Sequence, residues 1–124
     1  VRRCAMAESR VGEASQRAPG PARMANYVRE LEDRFYESME LDAEAASLGM
    51  SRRRFTQLFR EETGTSWLDH LLRRRIEYAK RLLRETRRSV TAIAFESGFE
   101  ELSGFYRAFK RYAGMAPLDW RKGD

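Results

Sequence analysis

The chain has 124 residues, a formal net charge of +5 at pH 7 and a pI near 9.8. Its length suits a single domain with a modest core, and 42% apolar residues exclude a wholly disordered chain. The basic balance suits a polyanionic partner.

Cysteine and histidine usage gives no sign of a disulfide, a metal or a cofactor. The single cysteine, Cys4, has no partner for an internal disulfide, and the single histidine, His70, has no second ligand at metal-binding spacing. The sequence has no apolar run near the roughly 20 residues of a membrane span. We therefore expect a cytoplasmic protein with no membrane association, no cofactor and no metal.

The first 25 residues contain Gly12 and the run Pro19–Pro21, and they show no sustained periodicity. This composition predicts a disordered arm or interdomain linker over residues 1–25. A folded domain is then expected over residues 26–124.

Apolar residues at helical spacing predict seven helices, and no segment alternates long enough to indicate a strand. The predicted helices, with the residues expected to cap or end them, run over 26–37; 41–48, ended by Gly49; 52–63, capped by Ser51 and ended by Gly64; about 67–84, with Ser66 before it; a fifth after Ser89, ended by Gly98; a sixth through Phe105 and Tyr112, ended by Gly114; and a short seventh from Pro117. The predicted class is all-α.

Two stretches repeat the same pattern about fifty residues apart. Ala45 corresponds to Ala94 at an offset of 49, and Phe55 corresponds to Phe105 at an offset of 50. Each copy reads as a short helix, a glycine turn and a second helix, which is a helix-turn-helix. In that motif the second helix enters the major groove of DNA.

Between the copies lies the longest predicted helix, of about 18 residues. At ~1.5 Å per residue it would span roughly 27 Å, whereas successive major-groove segments on one side of B-DNA lie ~34 Å apart. We therefore expect this helix to hold two reading helices at adjacent groove segments.

In the first copy the candidate base contacts are Arg53, Thr56 and Gln57. Arginine pairs with guanine O6 and N7, and glutamine pairs with adenine N6 and N7. Three consecutive arginines, Arg52 to Arg54, oppose the helix dipole, and a DNA phosphate near Arg52 would relieve this. The alternative is a solvated run of charge on an ordinary helix.

In the second copy the candidate base contacts are Ser103, Gly104 and Arg107. Gly104 costs a helix ~1 kcal/mol relative to alanine, which indicates either close backbone approach or a weak helix. Glu100 and Glu101 lie just before this helix, and they would repel the DNA backbone. The second copy therefore looks like the weaker binding half.

The spacing of these residues resembles that of the AraC/XylS family DNA-binding domain over about residues 26–122. Three stretches carry the resemblance: Ala45-x3-Gly49-Met50-Ser51 with Phe59-Arg60 and Gly64-x-Ser66; Arg75-x3-Ala79-x2-Leu82-Leu83; and Ile93-Ala94-x3-Gly98-Phe99-x3-Ser103-x-Phe105-x3-Phe109-Lys110 with Gly114-x2-Pro117-x2-Trp120-Arg121. It implies two helix-turn-helix subdomains that bind double-stranded DNA and control bacterial transcription, usually as an activator.

The resemblance also implies site residues and partners. The family's base-facing positions fall on the six candidates above, and its phosphate-facing positions fall on Ser51, Arg60, Ser66, Ser89 and Lys110. It implies RNA polymerase as a partner, and an upstream effector-binding or dimerisation domain.

Several residues depart from the family pattern. Gln57 stands where arginine is frequent, Gly104 where an aromatic residue is common, Glu44 where an apolar residue is usual and Ala116 where serine is frequent. These departures leave the base preference open.

No catalytic constellation appears, so we expect no enzyme activity. Two alternatives stay open, namely a helical protein-interaction module and the targeting domain of a larger enzyme.

Overall fold

A computed structural model of the chain describes residues 18–123. All the regular secondary structure in this part of the chain is helical, with no strand, which confirms the predicted class. The seven helices are α1 Gly20–Leu31, α2 Leu41–Ser47, α3 Arg52–Thr63, α4 Trp67–Glu85, α5 Val90–Glu96, α6 Leu102–Ala113 and α7 Pro117–Lys122.

The first helix lies earlier than predicted, over Gly20–Leu31 instead of 26–37. Pro21 falls in its first turn, where a missing N–H costs nothing, and the Arg23 N–H already donates to the Pro19 carbonyl at 3.0 Å. Residues 20–25 of the predicted arm are therefore helical. Residues 1–17 of the predicted arm lie outside the described residues.

The predicted second half of that helix is a turn over residues 32–37. The buried guanidinium of Arg75 donates to the carbonyls of Phe35, at 2.6 Å, and Glu37, at 2.7 Å. Phe35 is buried as well. These tertiary bonds, together with burial of the Phe35 ring, hold this segment in its turn.

The chain divides into two compact units. In the described part, unit one comprises residues 18–31 and 39–67, and unit two comprises residues 32–38 and 68–123. Each unit contains one helix-turn-helix: α2 and α3 in unit one, and α5 and α6 in unit two.

The core of unit one forms where α1 packs on α3. Tyr27 of α1 meets the ring of Phe55 edge-on at 5.2 Å between centroids, and Phe55 stacks on Phe59 at 6.0 Å. Burial of these rings fixes the direction of α3, and the opposite face of α3 remains in solvent.

The core of unit two surrounds the apolar stripe of α4. Ile76, Ala79 and Leu83 of α4 join Phe105 and Phe109 of α6 in one buried cluster. The repeated pair of aromatic residues therefore does the same packing in both units: it directs one face of the second helix inward.

The predicted caps and turns are present. Ser51 accepts a hydrogen bond from the Arg54 N–H at 3.1 Å, and Ser89 accepts one from the Ala92 N–H at 3.0 Å. Gly49 and Gly98, in the turns of the two motifs, have φ of +70° and +105°. These left-handed conformations explain why both turns carry glycine.

Candidate nucleic-acid interface

The exposed face of α3 carries the residues predicted to bind DNA in unit one. Arg53, Gln57 and Arg60 are exposed and Thr56 is half-buried, whereas Phe55 on the same helix is buried. Residues three and four apart lie side by side on a helix, so Arg53, Gln57 and Arg60 form one continuous surface.

Two residues on this face already have acidic neighbours. Arg52 lies 3.1 Å from an oxygen of Asp42 on α2, and the Gln57 side-chain amide donates to Glu61 at 3.3 Å. Both pairs are exposed to solvent, where such contacts contribute little to stability and exchange readily for a phosphate or a base edge. Among the described residues, Arg53 and Arg60 make no ion pair.

The corresponding face of α6 carries the residues predicted in unit two. Ser103, Arg107 and Lys110 are exposed, and Gly104 is half-buried. Arg107 stands at the position of Gln57, and Lys110 at the position of Arg60, each at the offset of 50. Both units therefore present three polar or cationic side chains with the same spacing.

The Glu100 carboxylate, just before α6, has polar and cationic neighbours within unit two. It accepts a hydrogen bond from the Ser38 hydroxyl at 2.8 Å. It also lies close enough to the Arg75 guanidinium to oppose the fall in the pKa of Arg75 that burial causes. These neighbours partly neutralise Glu100, so the repulsion of DNA expected from the sequence falls mainly on Glu101.

The serines predicted to bind phosphate lie at helix starts. Ser51 and Ser89 are exposed N-caps whose oxygens accept from the backbone, so each hydroxyl proton points elsewhere and can donate. Ser66 immediately precedes α4 and is half-buried. A hydroxyl and free backbone N–H groups at a helix start suit a phosphate oxygen.

The structure shows a buried polar chain in unit one that the sequence pattern missed. The Trp67 indole N–H donates to the Tyr27 hydroxyl at 2.8 Å, and that hydroxyl donates to the Glu44 carboxylate at 2.9 Å. Glu44 is only 8% exposed. Its departure from the family pattern thus has a structural reason, and its charge faces the core of unit one.

His70 takes part in packing and in local electrostatics. It lies partly buried in unit two, 3.8 Å from a carboxylate oxygen of Glu32. Burial lowers the pKa of His70, and Glu32 opposes this effect.

In the described part of the chain, no three or more His, Cys, Asp or Glu side chains are grouped so that they could hold a metal ion. None of the helices described has both the length and the apolar composition needed to cross a membrane.

Comparisons with known proteins agree on one family. The family described as Helix-turn-helix domain matches residues 45–123. The HTH-type transcriptional activator RhaS of Escherichia fergusonii is 34% identical over 102 residues, which is 82% of this chain and 37% of RhaS. The chain thus spans about a third of the length of the curated relatives it matches.

Solved structures show the same architecture. The DNA-binding domain of AdpA, a global transcriptional factor in complex with a target DNA, superposes with a TM-score of 0.76 at 31% identity, covering 80% of this chain and 89% of that one. The C-terminal domain of AraT, a response regulator from Geobacillus stearothermophilus, gives a TM-score of 0.74 at 27% identity, with 85% of each chain covered. The chain therefore belongs to the AraC/XylS family of helix-turn-helix transcription regulators.

Proposed function

We propose that this chain binds double-stranded DNA at a preferred sequence and regulates transcription by inserting α3 and α6 into adjacent segments of the major groove. The observation that carries this proposal is the repetition of one exposed face. Arg53, Gln57 and Arg60 on α3 have their counterparts in Ser103, Arg107 and Lys110 on α6. The likeness to a domain crystallised with its target DNA supports it.

The proposed contacts divide by chemistry. Base edges are read by Arg53, Thr56, Gln57, Ser103, Gly104 and Arg107. Phosphates are held by Ser51, Arg52, Arg60, Ser66, Ser89 and Lys110. Serine hydroxyls just before a helix and cations beside the DNA backbone suit phosphate. Arginine, glutamine, serine and threonine side chains that point into the groove from a recognition helix suit base edges.

The length of α4 supports a site of two adjacent segments. Its 19 residues give a rod of roughly 28 Å at ~1.5 Å per residue. This is a little less than the ~34 Å between successive major-groove segments on one side of the duplex.

The regulatory role proposed for the full protein rests on what its relatives do. RhaS is described as a transcriptional activator, so we propose activation, with RNA polymerase as partner and a separate effector-binding or dimerisation domain in the full protein. Bacterial DNA lies in the cytoplasm, which is where the protein would act. We propose no catalytic role for this domain.

The experiment is selection of bound duplexes from a random pool, followed by titration of the selected duplex with Arg53→Ala and Arg107→Ala. Each substitution should weaken the selected site and relax preference at a different base pair. A protein-interaction module would yield no preferred duplex from the pool. Recovery of random sequence would therefore reject the proposal.

A further inference from the structure

Gly104 is a glycine inside a helix that the protein's own packing does not require. A Cβ added there would lie 3.9 Å from Nη2 of Arg107, an ordinary contact distance, and near no other side chain described. At Gly98, by contrast, an added Cβ would come within 2.7 Å of Arg75 Nε. Gly104 also lacks the positive φ of Gly98. Glycine in a helix interior lowers stability relative to alanine, so its presence needs another reason.

The side chain beside this open space is that of Arg107, one helical turn further on. Helical side chains lean toward the N-terminus of their helix, onto the residue three or four positions earlier. The guanidinium of Arg107 accordingly lies next to the place that a side chain at 104 would occupy. This brings it level with the first turn of α6, where a recognition helix meets base edges.

Unit one lacks this arrangement. The counterpart of Gly104 is Arg54, a long side chain, and the counterpart of Arg107 is Gln57. Gln57 donates in the opposite direction, to Glu61 four residues later. In unit two the residue four positions after Arg107 is Arg111, so that position offers Arg107 no acidic partner of the kind that Glu61 offers Gln57.

We propose that Gly104 is a positioning residue for base recognition. Its missing side chain forms a notch that holds the Arg107 guanidinium beside the first turn of α6, where it can pair with guanine O6 and N7. The size of the residue at 104 then decides whether Arg107 reads its base pair. This inference rests on the proposed function.

The experiment compares Gly104→Ala with Gly104→Leu, each with and without Arg107→Ala. Alanine and leucine both favour helix, so they differ mainly in bulk. Dissociation constants are measured by fluorescence anisotropy on the selected duplex and on its three variants at the base pair where Arg107→Ala relaxes preference. Thermal unfolding confirms that every variant is folded.

In the wild-type and Gly104→Ala backgrounds, Arg107→Ala should weaken binding about ten-fold or more and make the dissociation constants for the four base pairs similar. In the Gly104→Leu background it should change binding less than about three-fold, because leucine has already displaced the guanidinium. Gly104→Leu alone should also make the dissociation constants for the four base pairs similar, as Arg107→Ala does.

An equal loss on Arg107→Ala in the leucine background would overturn the inference and leave the proposed function standing. A loss of the preference in Gly104→Ala as complete as the loss in Gly104→Leu would also overturn it, since the two variants differ mainly in bulk. A random pool that yields no preferred duplex would overturn the proposed function, and this inference with it.

Discussion

At the scale of single residues, Gly49 holds a left-handed backbone conformation, with φ of +70°. Replacing it with valine places a β-branched residue in the left-handed region, which costs about 1–2 kcal/mol or more. We expect Gly49→Val to lower the free energy of unfolding by that amount in urea titration.

Gly104→Ala is a matched control for this change, because Gly104 is helical and has room for a methyl group. It should raise the free energy of unfolding by about 0.5–1 kcal/mol. An unchanged unfolding midpoint for Gly49→Val would contradict the demand for a left-handed residue in this turn.

The Tyr27 hydroxyl joins Trp67 to Glu44 inside unit one. Tyr27→Phe removes the hydroxyl but keeps the ring, so both buried neighbours lose a hydrogen-bond partner. We expect a loss of about 1–3 kcal/mol in the free energy of unfolding. Tyr106→Phe, at a position 43% exposed, should leave it unchanged. Equal unfolding midpoints for the two variants would show that the buried chain contributes nothing.

Local sequence pattern could predict the helix caps and the glycine turns, but it could not predict the partners of the buried charged residues. Ser51 and Gly49 were predictable because a cap and a glycine turn act on backbone groups a few residues away. The partners of Glu44 and Arg75 lie 17 to 40 residues away in sequence. One available signal was the position of Arg75 in the apolar stripe of α4, where a charged residue needs buried acceptors.

At the scale of elements, the repeat predicted both motifs, because two copies of one pattern support each other. The first helix has no second copy, and its predicted bounds were wrong. Val28, Leu31 and Phe35 share helical spacing, but Phe35 is buried from a turn held by Arg75. Periodicity alone cannot distinguish a helix that continues to Phe35 from a turn that contains it, since the Phe35 side chain would be buried in either.

The base contact and the phosphate contact proposed for α3 can be distinguished by measurement. Arg53→Ala should weaken the preferred duplex by ~1–3 kcal/mol and relax preference at one base pair. The measurement is a dissociation constant for each base-pair variant of the selected site.

Arg60→Ala provides the contrast. It should weaken all duplexes alike and reduce the slope of log affinity against log salt by about one. If Arg60→Ala leaves the salt slope unchanged, Arg60 does not contact a phosphate.

At the scale of the whole molecule, stability should depend on the protonation of His70. Burial lowers the pKa of His70 from 6.5, with Glu32 opposing the shift. The unfolded chain therefore binds more protons near pH 6.5 than the folded chain does. The contribution of His70 to stability is complete above pH 6.5 and is lost as the pH falls through the lower folded pKa.

The measurement is the melting temperature between about pH 7.5 and about pH 5.5, for the wild type and for His70→Gln. We expect the wild type to lose more on acidification than the variant. Parallel curves would show that His70 does not couple folding to pH.

Division of the chain into two units, each with one helix-turn-helix, makes the number of contacted groove segments the central question. Hydroxyl-radical footprinting of the selected duplex answers it directly. Our account predicts two protected segments centred about one helical turn apart, roughly 10 base pairs. Arg107→Ala should remove the protection of one segment, and Arg53→Ala should weaken the protection of the other. A single protected segment, equally sensitive to both substitutions, would contradict it.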